Sequence, residues 1–271
     1  MPPGPDRPPQ SGRRDRSSAA VVVLAYGESP FLAGCLASLA AQVEPAPIIV
    51  ATSTPSHHID RAAQAVGAEV RINPTHRGIA GDWNFGLQAS DARYITLAHQ
   101  DDIYAPDFVR RSLSALAGSD DAVLAFTGYQ EIDDDGAAKT SKISRVKHLI
   151  EAVTLGQARR VTGARLRLYL SFGNPLPCSS VTFDLSRLPG FTFSADYSSN
   201  LDWDAWWRLM RAGAAFARVP EPLVGRRHNA LTATSRLIAD GTRQAEDLKM
   251  FRKAWPWPLA EAVSWVYRAG Y

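Results

Sequence analysis

The chain has 271 residues, 45% of them hydrophobic and 21% charged, enough for one sizeable buried core. A formal net charge of +3 makes no case for nucleic acid as a partner, and no apolar run approaches the ~20 residues of a bilayer span. The two cysteines, Cys35 and Cys178, are too few and too far apart for a disulfide framework or a metal site, so a reducing cytosol is the simplest compartment.

Residues Met1 to Ser18 are rich in Pro, Arg and Gly, lack apolar periodicity and read as a disordered tail. Arg13-Arg14-Asp15-Arg16 ahead of Ala19–Ala25 has the outline of a twin-arginine export signal. The apolar part is short, however, and stops at Tyr26-Gly27-Glu28, so it reads better as a buried first strand. The basic tail and the Trp-rich C-terminus leave peripheral contact with the inner face of a membrane open.

From Ala19 the pattern alternates. Val21–Ala25 is a β-branched strand, and Pro30 to about Ala41 has helical spacing. Pro47–Val50 is a second strand and His58–Val66 a second helix, ended by Gly67. Glu69–Arg71 is a short strand, Ala80–Ala89 a helix, and Tyr94–Leu97 a strand that runs into His99-Gln100-Asp101-Asp102. This predicts a single-domain α/β fold, with a mostly parallel central sheet flanked by helices. Ligands of such sheets bind at the carboxyl ends of the strands, so the ends of the Val21, Ile48 and Tyr94 strands should converge on one site. Further on, Phe108–Leu116 reads as a helix, Val123–Phe126 as a strand and Asp133–Gly136 as a turn. Lys139 to Leu168 is basic and mixed. Ser179–Phe183 and Ala215–Val219 read as strands. Asp202–Met210, Ile238–Ala254 and Leu259–Tyr267 read as helices.

Asp101-Asp102 is the central chemical feature. Adjacent carboxylates after an apolar strand repel each other, which a bound cation relieves, and Mg²⁺ or Mn²⁺ prefers such oxygen ligands. A solvated turn before Pro106 explains the pair equally well. Asp202 or Asp204, at the start of a helix, could take a proton from a hydroxyl, although an N-cap role is favoured for either taken alone. They would point to different sides of the helix, so at most one faces a substrate. Arg226-Arg227-His228 could serve phosphate and metal, with a basic surface loop as the ordinary alternative. Cys178 reads as a packed residue, and the Trp residues from Trp203 onward as mostly core.

These features come in a recognisable order. Val21–Gly27 is followed by Cys35-Leu36-Ala37-Ser38-Leu39 and Gln42. Asn73–Gly78 then precedes Trp83-Asn84-Phe85-Gly86, Tyr94–Tyr104 contains the acidic pair, Leu201–Trp206 comes next, and Pro222–His228 closes the series. The chain resembles the family 2 glycosyltransferases of GT-A fold, over about Ala20 to Ser235. The resemblance implies an inverting glycosyltransferase that uses Mg²⁺ or Mn²⁺, a nucleotide diphosphate-sugar donor and an acceptor hydroxyl on a carbohydrate, a lipid-linked sugar or another molecule. It implies Asp101 and His228 at the metal and Asp202 as general base. Ala25, Tyr26, Gly27, Glu28, Thr52, Asn84, Asp102, Arg226 and Arg227 would serve the donor. Residues 19–110 would form the nucleotide-sugar half, 111–225 the acceptor half, with Gly173–Ser180 and Trp203–Trp207 as its walls, and 226–271 a helical extension.

Three positions depart from the family pattern. His99 replaces the first Asp of the acidic motif, Leu201 replaces a Glu, and Ala51-Thr52-Ser53-Thr54 stands where an Asp usually contacts the nucleoside. These losses keep a catalytically degenerate sugar- or nucleotide-binding module as an alternative. Nucleotidyl transfer ranks lower, because Tyr26–Pro30 lacks both a Gly-rich loop and a basic residue. Nucleic-acid binding is discounted, because only the tail and the stretch with Lys139, Lys142, Arg145 and Lys147 are basic enough.

Overall fold

The computed structural model describes residues 15–75, 78–139, 142–227, 237–238 and 240–268. Strand β1 (Asp15–Ala25) is followed by α1 (Leu32–Ala40), β2 (Ile48–Thr52), α2 (His57–Ala65), β3 (Glu69–Ile72), α3 (Gly78–Gln88) and β4 (Ala92–His99). The chain continues through β5 (Ile103–Tyr104), α4 (Phe108–Ala117), β6 (Ala122–Ile132), α5 (Lys142–Leu155), β7 (Arg160–Val161), α6 (Gly163–Leu170) and β8 (Val181–Asp184). It ends with α7 (Leu201–Arg211), β9 (Ala215–Arg227), α8 (Thr242–Ala254) and α9 (Trp257–Arg268).

The nine strands among the described residues form one sheet in the order β3-β2-β1-β4-β8-β6-β9-β5, with β7 on β9. β1 runs parallel to β2 and β4, β2 to β3, and β6 to β9, while β8, β5 and β7 run the other way. The sheet is therefore mostly parallel, with β8 inserted antiparallel between β4 and β6. Alternation along β1 explains the two layers. Val21, Val23 and Ala25 join Leu36, Ile59 and Phe108 on one face, and Ala20 and Val22 join Leu97, Phe183 and Trp206 on the other. Burial on both faces is why β1 reads as an uninterrupted apolar run. Gly86 lets α3 cross the sheet closely, since a Cβ there would stand 2.8 Å from Leu24 Cδ2.

Two boundaries differ from the sequence reading. β1 begins at Asp15, inside the stretch taken as a tail, because Asp15 pairs with Ala92 before a register shift. The segment read as a helical extension from 226 starts with the end of β9. Its helices belong to the main core, where Met250, Phe251 and Ala260 are buried and Phe251 meets Trp203 edge-on at 5.1 Å. No described helix is long and apolar enough to cross a membrane.

Candidate active site

Parallel register brings the ends of three strands together: Ala25 pairs with Thr52 and Leu24 with His99. The turn after β1 is tied to its neighbours. Tyr26 N–H donates to Gln100 Oε1 and Gln100 Nε2 donates to the Tyr26 carbonyl, both at 3.0 Å. Gly27, with φ of +63°, donates to Thr54 Oγ1 at 2.7 Å, a backbone that favours glycine. Thr52 Oγ1 in turn accepts from Thr54 N–H. Thr52, predicted to contact a nucleoside, is thus buried and engaged in holding the loop, and Ala25 is buried too. Tyr26 and Glu28 are exposed.

The acidic turn comes after β4. Ser29 Oγ donates to Asp101 Oδ1 at 2.6 Å. Burial pushes the Asp101 carboxyl above its usual range, with Ser29 opposing and the Asp102 charge adding to the rise. Asp102 is buried, and its Oδ1 accepts Arg227 N–H at 3.0 Å. Burial raises Asp102 as well, against Ser179, Arg226 and Arg227. Ser179 acts from outside hydrogen-bond geometry: neither its Oγ nor Asp102 Oδ2 has a hydrogen-bond partner among the described residues.

Arg227, predicted at a phosphate, is instead a clamp. Its Nε donates to the Asp101 carbonyl at 3.0 Å, Nη1 to the Asp133 carbonyl, and its guanidinium lies 4.2 Å from the Phe31 ring centroid. Arg226 is half-buried, and its charge is felt at His99, Asp102 and Tyr129. His228 lies outside the described residues.

His99 sits between these groups and α7. Burial pushes its imidazole down to about 4, so the ring is neutral at pH 7, even though Asp202 pulls it upward. The Trp83 ring lies 5.2 Å away, and His99 Nε2 is buried with no hydrogen-bond partner among the described residues. Asp202, in the first turn of α7, accepts Trp203 N–H at 2.9 Å. Asp204 points elsewhere and is fully engaged, with Lys253 Nζ at 2.6 Å and Arg208 Nε at 2.8 Å. Of the two, only the Asp202 charge is felt at His99, two residues before Asp101. Trp203 and Trp206, predicted in an acceptor wall, are buried in the core and donate to the Leu170 and Leu176 carbonyls.

Asn84, expected beside a donor, spends its amide on Phe193. Its Nδ2 donates to the Phe193 carbonyl at 2.9 Å and its Oδ1 accepts Phe193 N–H at 2.8 Å, so the amide pins the loop before α7. Other contributors escaped the sequence reading. Asp82 of α3 accepts from Ser53 Oγ and Asn73 Nδ2, placing a carboxylate beside the ends of β2 and β3. Glu246 of α8 accepts Ser198, Ser199 and Asn200 N–H groups, and Asp247 accepts Asn200 Nδ2. Helical periodicity places Glu246 on α8 but gives no sign of which loop it reaches. For Asp82 the signal was its spacing before Asn84.

The chain is similar to several solved structures. It aligns with S. aureus TarS 1-349 in complex with UDP-GlcNAc at a TM-score of 0.61 and 12% identity, covering 80% of this chain and 60% of that one. It therefore spans about three-fifths of TarS 1-349. Glucosyl-3-phosphoglycerate synthase from Mycobacterium tuberculosis, in complex with Mn²⁺ and UDP-glucose, aligns at 0.58 and 19% identity, covering 92% and 85%. These likenesses show the GT-A fold. No curated protein sequence matches the chain. The model of glycosyl transferase family 2 matches residues 20–174, more than half of the sequence and the ends of β1, β2 and β4 around Asp101. The chain belongs to glycosyl transferase family 2.

Proposed function

We propose that the chain moves a sugar from a nucleoside diphosphate donor to an acceptor hydroxyl in one inverting displacement. The observation that carries this is the half-buried Asp101 carboxylate at the end of β4, with the Asp202 charge beside it at His99. TarS is solved with UDP-GlcNAc, and the mycobacterial synthase with UDP and Mn²⁺, which makes a uridine diphosphate sugar the first donor to test.

Exposed Tyr26 and Glu28 would border the nucleoside half, and Arg226 would face the diphosphate. The acidic turn fits a hard divalent ion. Asp101 offers a carboxylate that burial, with the Asp102 charge adding, holds above its usual range, and a cation bound there would favour its charged form. Among the described residues no three His, Cys, Asp or Glu side chains assemble; His228, outside those residues, and donor phosphate oxygens would supply the other ligands. A bound Mg²⁺ or Mn²⁺ would neutralise charge growing on the leaving diphosphate.

Asp202 would accept the acceptor's proton as the hydroxyl oxygen attacks the anomeric carbon from the face opposite the diphosphate. His99, neutral at pH 7, would wall the space between the two carboxylates without competing for that proton.

The test is thermal stabilisation by a panel of nucleoside diphosphates, with and without Mn²⁺, on wild type and Asp101→Ala. A ligand that binds only the folded chain raises its melting temperature. A metal-dependent rise with one nucleotide, absent in Asp101→Ala, supports the reading. No rise with any nucleotide overturns it in favour of a degenerate or differently employed fold.

A further inference from the structure

Beyond the strand ends, α5, α6 and α9 present large apolar side chains to solvent. Val146, Leu149 and Val153 form one stripe on α5 at helical spacing, with Val153 75% exposed. Leu168 is exposed on α6. On α9, Trp257 is 70% and Trp265 74% exposed, beside exposed Leu259 and Val266. Helices α5 and α9 flank one segment. Ile150 of α5 lines the cleft formed with Phe172 to Pro175, and the Tyr267 ring of α9 packs against Gly173.

Charge decides what could cover this face. Lys142 to Leu170 holds seven Lys and Arg residues against one acid, Glu151; with Glu221 and Asp121, which pair with Arg159 and Arg160, the acids number three and the surplus is four. Glu151 is paired with buried Arg218, whereas Arg145, Arg165 and Arg167 are exposed. Such a surplus disfavours a second copy of the same face, because like charges would meet. Exposed aliphatic residues between arginines, with tryptophans at the border, suit the boundary of an anionic bilayer. There the apolar groups leave water, the cations meet headgroups, and indole rings sit at the interface.

We propose that the α5–α6–α9 face docks on an anionic phospholipid bilayer. Because it borders Gly173 to Pro175, docking would bring the segment expected to wall the acceptor side to the membrane. That last point rests on the transferase reading, whereas the docking itself does not.

Vesicle co-sedimentation of the full chain tests it, with phosphatidylglycerol-containing and pure phosphatidylcholine vesicles at low and high salt. Partition onto the anionic vesicles should exceed that onto neutral ones by about tenfold or more and fall as salt screens the charges. Trp257→Ser with Trp265→Ser, and separately Arg145→Glu with Arg165→Glu and Arg167→Glu, should each lower it by about tenfold at an unchanged melting temperature. The proposal is overturned if wild type ignores anionic vesicles, or if both variants sediment as wild type does. A concentration-dependent dimer abolished by the tryptophan changes, without vesicle binding, would overturn it in favour of self-association. Vesicle binding without sugar transfer would overturn only the transferase reading and leave the docking standing.

Discussion

Arg227 and Asp102 meet across 125 positions of sequence, the Arg227 N–H donating to Asp102 Oδ1 at 3.0 Å. The Arg227 side chain returns to the Asp101 and Asp133 carbonyls. The end of β9 is thereby fastened to the acidic turn, and the two arginines in tandem separate into a clamp and a candidate ligand.

That separation is measurable. Arg227→Ala leaves two carbonyls without their donor and should cost about 2–4 kcal/mol, lowering Tm by roughly 5–10 °C. Arg226→Ala should leave Tm within about 1 °C. Nucleoside diphosphate affinity should then fall about tenfold, the scale of one charge-assisted phosphate contact. Calorimetry of both variants distinguishes the roles, and equal Tm losses would refute the division.

The two aspartates of α7 should separate in the same way. Asp202→Asn should reduce kcat by about 10²–10⁴ while stability stays near wild type, as expected for a general base. Asp204→Asn removes the charge that holds Lys253 and Arg208 and should cost about 1–3 kcal/mol with a smaller effect on turnover. Near-normal kcat in Asp202→Asn would remove it from the mechanism.

Acid should loosen the junction of β4 and β8. Burial alone would raise the Asp184 carboxyl, but Arg93, Ser186 and Arg187 together hold it below its usual range. A depressed folded pKa stabilises fully above the unfolded value of about 4, and that stabilisation is lost as pH falls through the folded value. Asp184→Asn should therefore destabilise at pH 7 by about 1–3 kcal/mol, and the deficit should shrink towards pH 3. Urea midpoints at pH 7, 5 and 3 provide the check, and a pH-independent deficit would contradict this account.

Asn84→Ala should release the loop at Phe193. Losing both amide bonds should cost about 1–3 kcal/mol and speed hydrogen exchange at the Phe193 amide. Unchanged exchange there would show that the aromatic contacts of Phe193 with Trp83 and Phe191 suffice.

The cluster of strand ends was readable because parallel topology exposes it in order. Short β-branched runs give the strands, and the residues just after each run must lie at its carboxyl end. That rule found the Tyr26 turn, Asp101 and Asp102 directly. It could not separate Arg226 from Arg227, because the distinction lies in a register with β6 that pairs Glu131 with Arg226 and Ile132 with Arg227. Nor could it see that Asn84 turns to Phe193, since that bond spans 109 positions. The Trp-rich start of α7 gave an ambiguous signal, because core indoles and a substrate platform share one composition.

Glu246 lies 48 positions after Ser198, whose N–H it accepts at the entrance to α7. During synthesis the strand ends around Asp101 can assemble first, while the carboxylate that orders the approach to Asp202 is still to be translated. A growing chain would in that case order the strand ends around Asp101 before the loop that leads into α7. If Asp202 is the base of the transfer proposed above, competence would then wait for α8.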